Sequence, residues 1–338
     1  MKLLWYSVDS LAMNCPPILA VKKRGPLDES ILRGHIVVAD GHGKIIQSFG
    51  NPHYITYFRS SAKPFQAMAL LLTETYEYFG LELEHLAIAC GSHNGQARHA
   101  KTVLEILSRA GLSEKDLLCG THEPISAAAK AELDGKPLSQ LNHNCSGKHS
   151  AMLAVCKKMG WDTKTYLEPT HPIQKLSLEI VAGICGLPVS DVVVATDGCG
   201  VQVFGVPLVN MAQGFARLSD PDSAPFDLQE PAKIVFKAMT KNPELVAGVD
   251  RVDTIAMKDN PDFAIKSGAE GVNCISANKK GLALKMESGE GHEPFYCVVA
   301  NCVRLIDGKI GELKMFDNQP LMSTNGVQSG QVVWRGPF

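Results

Sequence analysis

Short apolar runs alternate along the chain with longer stretches in which apolar residues return every three or four positions. That pattern belongs to a chain mixing strands with helices. Residues 36–39, 45–48 and 54–58 read as strands, the first two joined by a Gly-His-Gly turn. Ser60 then stands where a helix N-cap is expected, and Pro64 is tolerated in the first turn because an amide hydrogen there has no intrahelical partner. The helix is expected to end at Gly80. Residues 86–90 read as a buried strand, and Gly91 and Gly95 bracket the loop after it. Helices are expected over 97–111 and 148–159, a strand over 192–195, helices near 207–217 and 231–240, and two strands within 264–289 joined by a turn at 278–281. No long-period repeat and no low-complexity linker interrupts the chain. We therefore expect one α/β domain over 1–338, a mixed sheet flanked by helices, with a helical lobe around 97–180.

Composition narrows the partners. The 338 residues are 45% apolar and 20% charged, which suits a chain that buries a sizeable core. With 33 basic against 35 acidic residues the chain lacks the electrostatic footprint of a nucleic-acid binder. Its apolar runs fall far short of the roughly 20 residues that span a bilayer. The opening MKLLWYSVDS turns polar too early for a secretory signal, so a cytoplasmic location is expected. None of the ten cysteines forms a C-x-x-C pair. Cys156 and Cys297 lie in apolar, helix-like stretches, where a thiol acts as a small hydrophobe. Cys145 and Cys199 instead lie in polar, glycine-bearing loops, HNCSGKH and TDGCG.

Candidate chemistry begins at Ser60 and Lys63. A serine and a lysine three apart on a helix share a face, so a lysine whose proton affinity burial has lowered can serve as the hydroxyl's base. The chain holds two S-x-x-K matches, and the second, Ser276 to Lys279, runs into the expected hairpin turn. Ser92-His93-Asn94 and Lys266-Ser267-Gly268 follow Ser60 in the order S-x-x-K, S-x-N, K-S-G, the order of penicillin-recognising serine acyltransferases. Ser92 would relay a proton, and Lys266 at a strand edge would hold a carboxylate or help deprotonate Ser92. Only one helix and one strand fit between Ser60 and Ser92, which separates the chain from true penicillin-binding enzymes. Cys145 and Cys199, with Lys148 or His149 nearby, suit either a soft-ligand pair for zinc, a reactive thiol or inert loop cysteines. A non-catalytic zinc-holding protein is thus a second alternative.

The strings RSSAKPFQA, CGSHNGQARHA, HNCSGKHSAMLA, TDGCGVQVFGVPL, PELVAG and KSGAEG, in that order, resemble the Rhizobium etli type L-asparaginases, the asparaginase II family. The resemblance implies hydrolysis of L-asparagine to aspartate and ammonia, on an α/β fold similar to serine β-lactamases and glutaminases, in a homodimer. Carried over by motif, it makes Ser60 with Lys63 and Ser92 with Lys266 two serine–lysine tandems, and puts Arg59 at a matching active-site position. It implies Zn2+ at Cys145, Lys148 and Cys199, assisting substrate binding. Arg59, His93 and Asp197 are the expected anchors for the substrate's charged α-groups. One position departs: Asp253 stands where a relative has cysteine.

Overall fold

Residues 15–135, 137–289 and 292–337 are described in the computed structural model of the chain; the opening MKLLWYSVDS lies outside them. In chain order the strands are β1 (Ile18–Arg24), β2 (Leu27–Asp40), β3 (Ile45–Phe49), β4 (Ile55–Tyr57), β5 (Val193–Thr196), β6 (Gln202–Pro207), β7 (Ala264–Gly268), β8 (Val272–Ala277), β9 (Lys280–Met286), β10 (Pro320–Met322) and β11 (Gln328–Trp334). The larger sheet runs β10-β11-β1-β2-β9-β8-β7 with β3 attached to β2, and a three-stranded sheet runs β4-β6-β5. Every described pair is antiparallel. The early half of β2 pairs with β1, while its later half lies between β9 and β3.

Successive side chains of a strand point to opposite faces, so a strand buried at every position is covered on both sides. β8 is such a strand, and β9 is buried beyond its first residue. Helix Leu208–Ser219 packs on β2, β8 and β9, and helix His292–Leu305 on β1, β9 and β11. One hydrophobic core reaches from Leu19 on β1 to Val332 on β11. The expected α/β class, a sheet flanked by helices, is the one observed. Residues 97–180 hold helices and loops, the longer helices being Ala97–Arg109, Ser146–Met159 and Pro172–Ile184. No helix among the described residues is long and apolar enough to cross a membrane.

Local expectations fail in four places. Residues 86–90, read as a strand, lie in helix Leu83–Ala89, because a short apolar run has no period that separates a buried strand from a buried helix. The helix expected to reach Gly80 is broken into Lys63–Ala67, Ala69–Leu72 and Thr75–Tyr78. Thr73 Oγ1 donates back to Ala69 O at 2.7 Å, and Glu74 turns left-handed at φ +56°. Ser60 caps nothing: it lies inside a 3-10 turn, Arg59–Ala62, without a side-chain cap. The segment 264–289 yields three strands, since Glu270-Gly271 makes a second left-handed turn like that at Asn278-Lys279.

Two helices meet at a close crossing. Helix Ser146–Met159 passes helix Leu83–Ala89 so tightly that a Cβ at Gly147 would overlap the Ile88 carbonyl oxygen.

Candidate active site

The turn carrying Ser60 is positioned by both sheets. β4 leads into it, Phe58 N donates to Phe204 O of β6 at 2.9 Å, and Ser61 Oγ donates to Lys266 O of β7 at 2.8 Å. Gly268 ends β7 against the same turn, where a Cβ would stand 2.6 Å from Phe58 O. Arg59 enters the turn at φ +50°. Such a conformation costs a non-glycine residue about 1–3 kcal/mol and persists where its surroundings hold it. They do so here: Arg59 Nε donates to Asp197 Oδ1 at 2.9 Å and Nη1 faces Glu270 Oε1 at 3.5 Å. Asp197 is itself fixed in a tight turn after β5, its Oδ1 accepting from Gly198 N at 2.9 Å.

Ser60 is half-buried, whereas Ser92, Lys63 and Lys266 are buried. Ser60 and Lys63 stand three positions apart within one run of right-handed turns, as the spacing required. Lys63 Nζ donates to Asn144 O at 3.1 Å, and Asn144 Nδ2 donates to Ser92 Oγ at 3.4 Å. Lys266 Nζ donates to Ser267 O at 2.7 Å and lies 3.8 Å from Asp253 Oδ2. Among the described contacts neither serine hydroxyl bonds the lysine of its own tandem. Catalytic hydrogen bonds of a substrate-free site often tighten only with substrate. Burial lowers the Lys266 ammonium to about 7, with Lys63 and Arg251 pushing the same way and Asp253 opposing them. A fully buried lysine near neutrality is poised to accept and return a proton.

Ser92 starts from a firm base, because its N–H donates to Val246 O at 2.8 Å. His93 is fully buried; its Nδ1 accepts from Gly95 N at 3.2 Å and its Nε2 lies 3.0 Å from Ser146 Oγ. Burial pushes it well below the usual histidine range, with the stacked His99 ring adding to the effect. It is a neutral ring with both nitrogens engaged, and the contacts it makes hold the Ser92 loop.

The two loop cysteines meet. Cys145 and Cys199 interact, and Lys148 Nζ lies 3.2 Å from Cys199 Sγ. The neighbouring Cys145 thiol draws Cys199 far below the ordinary thiol range against the penalty of burial, with Lys148 helping, and Cys145 is pushed up in turn. For Lys148, burial disfavours the charge but Cys199, Cys145 and Asp197 outweigh it and raise its affinity for the proton. The two sulfurs and the Lys148 amine form one interacting cluster. Among the described residues no group of three or more His, Cys, Asp or Glu converges, so a metal here would draw its third donor from Lys148. Two soft sulfurs and an amine suit Zn2+, provided the amine gives up its proton.

Two residues of the site escaped the motif reading: Asn144, which touches both tandems, and Glu270, which flanks Arg59. Asp253, noted in the sequence only as a departure, accepts from Ser267 N at 2.8 Å and from its Oγ at 2.5 Å. Asn144 and Glu270 lie within the strings HNCSGKH and KSGAEG, and that proximity to motif residues was the available signal.

A family model described as L-asparaginase II matches residues 20–334. No curated protein matches the chain. Among solved structures, a β-lactamase from Mycobacterium bovis matches at 12% identity over 84% of this chain and 92% of that one, with a TM-score of 0.39. Similarity at that level bears no weight for fold or activity.

Proposed function

Because the chain belongs to the L-asparaginase II family, we propose that this amidohydrolase cleaves the side-chain amide of L-asparagine to L-aspartate and ammonia through a serine ester. The observation that carries the reading is the pair of buried, mutually interacting lysines, Lys63 and Lys266, with Lys63 linked to Ser92 through Asn144. Two neighbouring buried ammonium groups repel, and the arrangement is tolerable when one gives up its proton.

Ser60 attacks the amide carbon while Lys63, in its neutral amine form, takes its proton, and backbone amides at the turn receive the oxyanion. The C–N bond breaks as Lys63 passes that proton to the leaving ammonia. Water then attacks the ester, its proton relayed through the Ser92 hydroxyl to neutral Lys266, and the acyl–oxygen bond breaks as that proton returns to Ser60. Arg59 and Asp197 face the substrate's α-carboxylate and α-ammonium, while His93 keeps the Ser92 loop in place. We assign Zn2+ to Cys145, Cys199 and Lys148, where the bound ion would supply positive charge to draw a substrate carboxylate. The working form we propose is a cytoplasmic homodimer.

A coupled ammonia assay tests the function. Ammonia from asparagine supports it. Nitrocefin cleavage without ammonia would instead favour a penicillin-recognising hydrolase, and zinc binding with no turnover of any substrate a zinc-holding protein.

Two further outcomes are expected. If neutral Lys266 is the working base, kcat/KM rises with pH through an inflection near 7, and Lys266→Arg removes that inflection because guanidinium stays charged. A flat profile would reject the assignment. Protein dialysed against Zn2+ should retain about one ion per chain by atomic absorption, and Cys199→Ser about none. Equal metal in both proteins would place any zinc elsewhere.

A further inference from the structure

We infer that Asn144, anchored by His122, is a positioning residue that ties the two serine–lysine tandems together; this rests on the proposed hydrolase function. Every polar group of Asn144 is engaged, and the partners belong to different parts of the site. Its carbonyl accepts from Lys63 Nζ at 3.1 Å, its carboxamide nitrogen donates to Ser92 Oγ at 3.4 Å, and its Oδ1 lies 3.3 Å from Cys145 Sγ. The first contact holds the buried Lys63 amine nitrogen, which would otherwise lose a hydrogen-bond partner at a cost. The second sets the polarity of the Ser92 hydroxyl. Since Asn144 donates to that oxygen, the hydroxyl hydrogen is left to point at another acceptor. The Cys145 thiol beside Oδ1 fixes which end of the amide faces Ser92.

The backbone of Asn144 is held from the other side. Its N–H donates to His122 Nε2 at 3.0 Å, so that nitrogen carries no proton. The ring hydrogen is therefore on Nδ1, which donates to Glu123 O at 2.6 Å. The His143 ring packs edge-on against His122 at 4.4 Å, and Cys145 N donates to His143 Nδ1 at 3.0 Å. Half-buried His122 thus sets where the Asn144 carbonyl and carboxamide sit, without touching either serine. Misplacing a reacting group by about an ångström costs about a hundredfold in rate, which is the scale on which such an anchor acts.

The test is steady-state ammonia release from asparagine by the full chain and three variants, with thermal unfolding confirming that each is folded. Asn144→Ala should lower kcat about 10- to 100-fold with KM changed less than about threefold. His122→Ala should lower kcat about tenfold, and His122→Gln, whose side-chain carbonyl accepts the same N–H, should restore most of it. A folded Asn144→Ala with kcat within about twofold of wild type, a loss confined to KM, or a His122→Gln as slow as His122→Ala would each overturn the inference. A wild-type protein that releases no ammonia would overturn the hydrolase function itself, before any variant is compared.

Discussion

Ser60→Ala is expected to release ammonia from asparagine about a thousandfold or more slowly than wild type while binding asparagine with nearly the same affinity. The size follows from removing the group that forms the covalent intermediate, because the surrounding charges then stabilise a transition state with no nucleophile in it. Unchanged binding follows from the layout: Arg59 and Asp197 hold each other across the turn through a 2.9 Å hydrogen bond that does not involve the Ser60 hydroxyl. Single-turnover ammonia release and calorimetric titration with asparagine measure the two quantities separately. Ser92→Ala is the necessary companion. If that variant loses turnover by the larger factor and Ser60→Ala keeps most of it, the nucleophile is Ser92.

Asp253→Ala should lose stability by about 3–5 kcal/mol at pH 6 and by less at pH 9. Asp253 is 1% exposed and faces Lys266 at 3.8 Å while accepting both Ser267 donors, so its removal leaves those two buried donors without their acceptor and takes the negative charge from beside Lys266. The pH dependence comes from Lys266. Its value falls from 10.5 to about 7 on folding, so its penalty is fully present below about pH 7 and is relieved as pH rises toward 10.5. Without Asp253 the folded value drops further. That adds to the penalty below about 7, where the wild-type lysine is still charged, and adds nothing above it, where the folded lysine is neutral in both proteins. At pH 9 the lost hydrogen bonds remain, about 1–3 kcal/mol. Urea unfolding at the two pH values measures the difference, and equal losses would mean that Asp253 does not act on Lys266.

What the sequence disclosed depended on distance along the chain. Ser60 and Lys63 are legible because three residues of spacing fix their relation within one turn, whichever helix type forms. The TDGCG turn after β5 was legible for the same reason, since glycine at 200 supplies the left-handed φ of +91° that it needs. Lys266 could be named by its motif but not located, because its neighbours Lys63, Asp253 and Ser61 arrive from other elements. Asn144 carried no motif role: one of its contacts with the tandems is a backbone carbonyl, which has no signature in sequence, and the other is a carboxamide whose partner Ser92 comes from a loop 52 residues away. The 86–90 run misled because it is apolar throughout; the better signal was Glu82 with His85, whose Nδ1 accepts from Glu82 N at 3.0 Å and starts a helix.

The crossing at Gly147 has a consequence for evolvability. Gly147 precedes Lys148, and Ile88, whose carbonyl it meets, lies four residues before Ser92. Any side chain at 147 would force the two helices apart where the helix carrying Lys148 meets the one that leads to Ser92. The usual exchange of a helical glycine for alanine, which reduces the freedom of the unfolded chain and commonly stabilises a helix, is therefore closed at this position. A saturation library at residue 147 selected for turnover should return glycine alone, while one at Gly160, with φ +70° and open space around it, should also admit asparagine.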